Sequence, residues 1–185
     1  METPVWTMRR RPFLAPLWLG ALALLVVVIG AASLYQSATT TFIVIVPDAE
    51  AMQGGIADPP LAPEGEERAE RLARLFGGAG GAGRIAAIYS SPARRAQQTV
   101  APLAALQRLP VEVLGSDATG LAATHALREQ RGRVALLVGD TPLTSQWLAS
   151  LGMSTPAGVR ADDSASLYIV SIPTLGSARL LQLQY

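Results

Sequence analysis

The sequence predicts an α/β protein: a three-layer α/β/α sandwich with a largely parallel central sheet, preceded by one transmembrane helix. Two observations support this prediction. Short runs of β-branched residues alternate with amphipathic helical segments after residue 40, and one long uncharged apolar run precedes them. The chain has 185 residues, which suffice for one domain with its own core and a short appendage.

The apolar run covers residues 13–35 and contains no charged side chain. As a helix, its roughly 23 residues would extend about 34 Å, which is enough to cross the hydrocarbon core of a bilayer. Trp18 and Tyr35 stand where interfacial aromatic residues are expected. A cleaved signal peptide is the alternative, because residues 30–33 are small, but the apolar region of such a peptide is usually only about 7–15 residues long.

Charges near the apolar run predict its orientation. Arg9, Arg10 and Arg11 precede the run, and no further arginine occurs before Arg68. The positive-inside rule therefore places the N-terminus in the cytoplasm and the following domain on the periplasmic, or extracytoplasmic, side of the cytoplasmic membrane. We divide the chain into a cytoplasmic tail (1–12), a transmembrane helix (13–35), a linker (36–40) and a domain (41–185).

Composition argues against some classes of function. The formal net charge is +1, and three of the arginines precede the apolar run, so the domain has no basic field that would attract nucleic acid. Cysteine is absent, which excludes disulfides and thiolate metal sites.

Strands and helices are predicted from the periodicity of apolar residues and from capping residues. The predicted strands cover residues 41–46, 85–89, 111–114, 134–138, 166–172 and 178–184. Pro63 begins a helix with the apolar stripe Ala69, Leu72, Ala73 and Phe76. Ser91-Pro92 is expected to cap a helix with Ala96, Val100, Leu103 and Ala104 inward. A weaker helix follows around residues 121–130, and Thr141-Pro142 is expected to cap the last one, which Gly152 ends.

Four segments, taken in order, resemble the motifs of the histidine phosphatase superfamily, also called phosphoglycerate mutase-like. They read Ile-Val-Pro-Asp-Ala-Glu (45–50), Asp-Pro-Pro-Leu-Ala-Pro-Glu-Gly (58–65), Ser-Ser-Pro-Ala-Arg-Arg-Ala-Gln-Gln-Thr (90–99) and Leu-Val-Gly-Asp-Thr (137–141). In active members of that family, the first motif supplies a nucleophilic histidine and an arginine. The third supplies an arginine and the fourth a second histidine, and together these groups surround the phosphate.

This chain departs from the family pattern at the catalytic positions. Pro47 replaces the arginine of the first motif, Asp48 its nucleophilic histidine, and Asp140 the second histidine, whereas Arg95 and Glu50 are retained. Two like charges 4 Å apart repel by about 4 kcal/mol at an effective dielectric constant near 20. The resemblance therefore implies a pseudoenzyme without catalytic residues, whose two carboxylates repel a phosphate.

Several interpretations of the altered site stay open. Asp48 or Asp140 would form an internal salt bridge with Arg95, or both carboxylates would bind a cation with help from Glu50. Asp48 acting as a phosphoryl-accepting nucleophile is a third reading, although such enzymes usually need Mg²⁺ and a companion acid. The glycine-alanine segment 77–83 is interpreted as a connector, and His125 as a surface or packing residue.

The predicted function is that of an accessory or structural subunit of a membrane protein complex, of the respiratory or photosynthetic kind. The partners would be the lipid bilayer and an integral membrane protein complex, contacted through the transmembrane helix and the membrane-proximal face of the domain. No cofactor, metal or nucleic acid is expected. The alternatives are a divergent extracytoplasmic phosphohydrolase that uses Asp48, and a domain that senses a cation or a metabolite.

Overall fold

The structure, a computed structural model, describes residues 17–54, 57–78, 84–154 and 165–185. The chain forms two compact units, Met1–Tyr35 and Gln36–Tyr185. The predicted tail (1–12) and the start of the predicted transmembrane segment (13–16) lie outside the described residues, as does most of the glycine-alanine segment (79–83).

Helix α1, Leu17–Thr39, contains most of the apolar run. Within it, Trp18–Tyr35 has a mean hydropathy of 2.2 and none of it is buried, so by length and composition the helix is able to cross a membrane. A signal sequence near an N-terminus has the same properties. The helix extends past Tyr35 to Thr39, so four of the five positions predicted as a linker (36–40) are helical. Residues 36–39 include neither glycine nor proline, the residues that most disfavour a helix.

The second unit is built on one six-stranded sheet. Its strands are β1 Thr41–Pro47, β2 Ile85–Ser90, β3 Val111–Val113, β4 Val134–Gly139, β5 Ser166–Ile172 and β6 Arg179–Gln184. Their order across the sheet is β3-β2-β4-β1-β5-β6. The first four are mutually parallel, whereas β5 is antiparallel to β1 and β6 is antiparallel to β5. The predicted α/β class is confirmed, with a mixed sheet whose last two strands form a hairpin because their connection is too short for a crossover.

Helices cover both faces of the sheet. They are α2 Pro63–Gly77, α3 Arg94–Gln107, α4 Ser116–Thr119, α5 Ala122–Glu129 and α6 Thr141–Ser150. One core cluster joins α2 and α3 to the sheet, and a second joins α5 and α6 to its other face, which makes the three layers. All eight residues of the two predicted apolar stripes are buried: Ala69, Leu72, Ala73, Phe76, Ala96, Val100, Leu103 and Ala104.

The predicted caps of α3 and α6 are wrong. Helix α3 begins at Arg94, and among the described residues no hydrogen-bond partner reaches the buried Ser91 hydroxyl. The backbone N–H of Arg94 instead donates to both carboxylate oxygens of Asp58, at 3.0 and 3.2 Å. In α6 the N-cap is Asp140 rather than Thr141. A carboxylate near a helix N-terminus satisfies an N–H group that has no partner inside the helix.

Replacement of Asp58 by alanine is expected to lower the unfolding free energy by about 1 kcal/mol, because the first N–H of α3 loses its acceptor. Ser91→Ala is the matched control, since its hydroxyl forms no hydrogen bond within the described residues. The measurement is urea unfolding of the full-length protein in detergent, followed by circular dichroism. A larger loss in Ser91→Ala than in Asp58→Ala would contradict this assignment.

Candidate functional site

Asp48 and Asp140 follow neighbouring strands at the same edge of the sheet. β1 and β4 are parallel neighbours, and Pro47 at the end of β1 is paired with Gly139 at the end of β4. The N–H of Asp48 donates to the carbonyl oxygen of Gly139 at 2.9 Å, so the ladder continues past Pro47. The two aspartates therefore follow directly paired residues of neighbouring strands. This edge, outside the carboxyl ends of parallel strands, is where α/β proteins place their ligand sites.

Arg95 occupies the first turn of α3 and contacts Asp48 directly. Its Nε–H donates to Oδ2 of Asp48 in a salt bridge. The Asp48 side chain is only 9% exposed, and that of Arg95 is 34% exposed. The sequence left open whether Asp48 or Asp140 would form a salt bridge with Arg95. In the structure the salt bridge forms with Asp48.

Thr99 holds this pair in position, and the sequence analysis did not identify it. Its hydroxyl accepts a hydrogen bond from the N–H of Ala49 at 3.0 Å and donates to the carbonyl oxygen of Arg95 at 2.8 Å. Thr99 is fully buried. The residue after Asp48 is thus tied to the helix that carries Arg95. The sequence carried two signals for it: Thr99 is the last residue of the third motif, and it lies one helical turn after Arg95.

Burial determines the protonation behaviour of Asp48. Removal of its carboxylate from water raises its pKa above the ordinary value, and the negative charge of Asp140 acts in the same direction. The charge of Arg95 and its hydrogen bond lower the pKa, but they do not outweigh burial. The neighbouring guanidinium therefore only partly compensates the cost of an ionised carboxylate at this position.

Asp140 is also used within the protein. Its Oδ1 accepts a hydrogen bond from the N–H of Leu143 at 2.9 Å, which caps α6. The preceding residue, Gly139, packs against Trp147: a Cβ at that position would lie 2.6 Å from the indole ring. Trp147 is fully buried, and its Nε1–H donates to the carbonyl oxygen of Thr119 at 2.6 Å. Close packing of α6 on β4 thus fixes the strand end that carries Asp140.

Glu50 has a different partner from the two aspartates. It forms a salt bridge with Arg68 of α2, whose guanidinium also donates to the carbonyl oxygen of Tyr185 at 3.1 Å. In the part of the chain that the structure describes, no three histidine, aspartate or glutamate side chains are grouped so that they could hold a metal ion. The geometry thus does not favour the metal site considered above, with Asp48, Asp140 and Glu50.

The chain's one histidine is remote from this chemistry. His125 lies on α5, half exposed, with its Nε2 3.4 Å from Glu129 and its ring edge-on to Tyr89. His125 is therefore a surface and packing residue, as the sequence indicated. The two aspartates at the catalytic positions of the family are therefore both engaged within the protein. Asp48 is bound to the guanidinium of Arg95, and Asp140 caps a helix.

The topology places the second unit in the α/β class, with its candidate site at the carboxyl ends of β1 and β4. Residues 46–116 match the family model of the histidine phosphatase superfamily (branch 1). That region contains Pro47, Asp48, Glu50 and Arg95, and it ends before Asp140. No curated protein matches this sequence.

Solved structures of phosphatases share the fold. The protein histidine phosphatase SixA complexed with tungstate is 20% identical over 77% of this chain and 96% of its own, with a TM-score of 0.62. A phosphoserine phosphatase mutant from Entamoeba histolytica, in complex with phosphoserine, is 13% identical over 73% and 95%, with a TM-score of 0.54. A mycobacterial glucosyl-3-phosphoglycerate phosphatase is 17% identical over 71% and 90%, with a TM-score of 0.50. The chain therefore has the histidine phosphatase fold.

Proposed function

We propose that this chain is a degenerate, catalytically inactive member of the histidine phosphatase superfamily that is anchored in the cytoplasmic membrane by α1. Its domain would lie on the extracytoplasmic side and act as an accessory subunit of a membrane protein complex, of the respiratory or photosynthetic kind. The observation that carries the proposal is the salt bridge between Asp48 and Arg95. The residue at the nucleophile position occupies the one arginine retained for phosphate.

A phosphate group would have to compete with Asp48 for Arg95. Asp48 is part of the protein and needs no loss of translational freedom to make its contact, whereas a free phosphate pays that cost. The phosphate would also approach two carboxylates, and each like charge at 4 Å adds about 4 kcal/mol of repulsion at an effective dielectric constant near 20. The arrangement opposes binding of the substrate class that active relatives hydrolyse.

Asp48 is also poorly suited to nucleophilic attack. The guanidinium of Arg95 holds one of its carboxylate oxygens in a salt bridge, so that oxygen is not free to attack a phosphorus atom. Carboxylate nucleophiles in phosphoryl transfer need a positioned metal ion. The described residues contain no side-chain cluster that would hold one. The divergent phosphohydrolase therefore has less support than the inactive protein.

The membrane role rests on α1 and on the residues around it. Its apolar stretch is unburied, and three arginines precede the apolar run. One residue, Thr40, separates α1 from β1 along the chain, so the domain would be held close to the membrane surface. A short tether and an altered site suit a protein that acts by contact with a neighbour in the membrane.

Full-length protein in detergent is expected to show no turnover of p-nitrophenyl phosphate, with or without Mg²⁺, because the phosphate site is electrostatically closed. Asp48→Ala is expected to leave this baseline unchanged. Turnover in the original chain that Asp48→Ala abolishes would overturn the assignment as an inactive protein, as would phosphate or tungstate bound against Asp48 and Arg95.

The accessory role has a separate test. Gentle solubilisation of the native membrane, followed by affinity purification of the full-length chain, is expected to recover a stoichiometric integral membrane partner. Recovery of this chain without any other protein would contradict the accessory role and would leave the inactivity of the site unaffected.

A further inference from the structure

The two outermost strands of the sheet, β3 and β6, form its lateral edges and differ in chemistry. The edge strand β3 has three residues, and its middle residue is Glu112. At the other edge, β6 has six residues; only the first, Arg179, is charged, and the five from Leu180 to Gln184 are not. Leu181 and Leu183 on β6 are 53% and 42% exposed. A short edge with a charge resists pairing with another chain, whereas a longer, neutral and apolar edge favours it.

The hydrogen bonding of β6 shows which of its backbone groups face outward. The N–H of Tyr185 donates to the carbonyl oxygen of Ala165 at 3.2 Å, in register with the β5–β6 ladder. In an antiparallel ladder, the backbone groups of alternate residues point to opposite sides of a strand. Leu183 and Leu181 therefore bond toward β5. The N–H and C=O groups of Leu180, Gln182 and Gln184 point to the open side, where no strand of the described residues pairs with them.

We propose that β6 pairs antiparallel with β6 of a second copy of this chain, about a twofold axis at Gln182. Gln182 then exchanges two backbone hydrogen bonds with Gln182 of the partner subunit. Leu180 exchanges two backbone hydrogen bonds with Gln184 of the partner subunit, and by symmetry Gln184 does the same with Leu180 of the partner subunit. Three outward-facing pairs are formed, whereas a shift of two residues in either direction leaves only two within the strand. The central register therefore makes the most of the open edge.

The same register matches the exposed side chains. It places Leu181 opposite the partner subunit's Leu183, on the sheet face that also carries Ile169. Four leucines, two from each copy, would thus cover one another across the axis. Cross-strand apolar pairs of this kind are the unit by which sheets are stabilised. The one charged residue of β6, Arg179, lies three residues from the axis, so no like charges meet there. Self-pairing of β3 would bring Glu112 close to its own copy.

The chain contains no cysteine, so single cysteines report the register without background. The Cα atoms of a hydrogen-bonded antiparallel pair are about 5.5 Å apart, within the range that a disulfide bridges. Gln182→Cys in the full-length protein in detergent is therefore expected to form a disulfide-linked dimer under mild oxidation. Leu180→Cys alone would lie four residues out of register, roughly 13 Å from its own copy, and should stay monomeric on a non-reducing gel.

Coexpression of Leu180→Cys with Gln184→Cys is expected to restore the cross-link, because those two positions are paired. Cross-linking of Leu180→Cys alone as efficient as that of Gln182→Cys would overturn the register and the proposal. So would absence of any cross-link in Gln182→Cys together with a monomer mass in light scattering.

A second measurement is independent of disulfide chemistry. The double variant Leu181→Lys/Leu183→Lys places four positive charges at the axis and is expected to raise the dimer dissociation constant at least tenfold, measured by mass photometry in detergent. Val113→Lys adds a charge to an exposed position on β3 and should leave the dimer unchanged. Circular dichroism checks that both variants are folded. A chain that is monomeric throughout, and whose lysine variant loses binding to lipid vesicles or to another protein, would assign the surface to that other occupant and overturn the proposal.

Discussion

Replacing Arg95 by methionine is expected to lower the unfolding free energy by about 2–3 kcal/mol at pH 7. Removal of one partner from a fully buried ion pair costs about 3–5 kcal/mol, because an uncompensated charge is left behind. The expected loss is smaller here because the Arg95 side chain is 34% exposed and water screens part of the interaction. Methionine retains the aliphatic bulk of the arginine, so packing changes little.

The loss should depend on pH in a defined direction. Burial already raises the pKa of Asp48 from its ordinary value of 3.8, and removal of Arg95 takes away the neighbour that lowers it. Between the unfolded and the folded pKa the folded protein binds more protons, so the stability of the variant falls as pH rises through that interval. The deficit should therefore be small near pH 4 and complete once Asp48 is ionised. Urea unfolding at several pH values measures it.

Asp48→Asn provides the matched comparison. The amide removes the buried negative charge and leaves Arg95 partly in water, so the variant is expected to stay within about 1 kcal/mol of the original chain. The double variant Asp48→Asn/Arg95→Met should recover most of the stability lost by Arg95→Met alone. Additive losses in the double variant would show that the pair is not coupled.

Trp147→Ala is expected to be the most destabilising single substitution considered, at about 3–5 kcal/mol. The side chain is fully buried, and its removal leaves a large cavity between α6 and the sheet. Trp147→Phe keeps most of that contact but loses the hydrogen bond to the carbonyl oxygen of Thr119, which should cost about 1–3 kcal/mol. Leu121→Ala, at an exposed position, is the control and should change stability by less than about 0.5 kcal/mol.

Trp147→Ala should also loosen the backbone at the candidate site, around Gly139 and Asp48. Gly139 packs on the Trp147 ring, and its carbonyl oxygen accepts the hydrogen bond from Asp48. Hydrogen exchange of the Asp48 amide is therefore expected to be faster in Trp147→Ala than in Trp147→Phe. Exchange of the Asp48 amide that is unchanged in both variants would separate the packing of α6 from the geometry of the sheet edge.

The element pattern of this protein could be predicted from its sequence because local periodicity carries that information. β-Branched runs coincide with buried strands such as Ile43–Val46, and the apolar stripe beginning at Ala69 is the buried face of α2. The proximity of Asp48 and Asp140 could also be predicted, because parallel strands bring their carboxyl ends to one edge. The exposed ion pairs of α2 follow from spacing of four residues in the same way.

Tertiary structure decided how the polar groups are paired. The sequence left either aspartate as the partner of Arg95. The fold selects Asp48 because Asp140 is occupied at the N-terminus of α6. Asp58 caps a helix that begins 36 residues later along the chain, and Thr99 links two segments 50 residues apart. Local patterns carry no signal for such contacts, since they arise only when distant segments pack together and each buried polar group must find a partner.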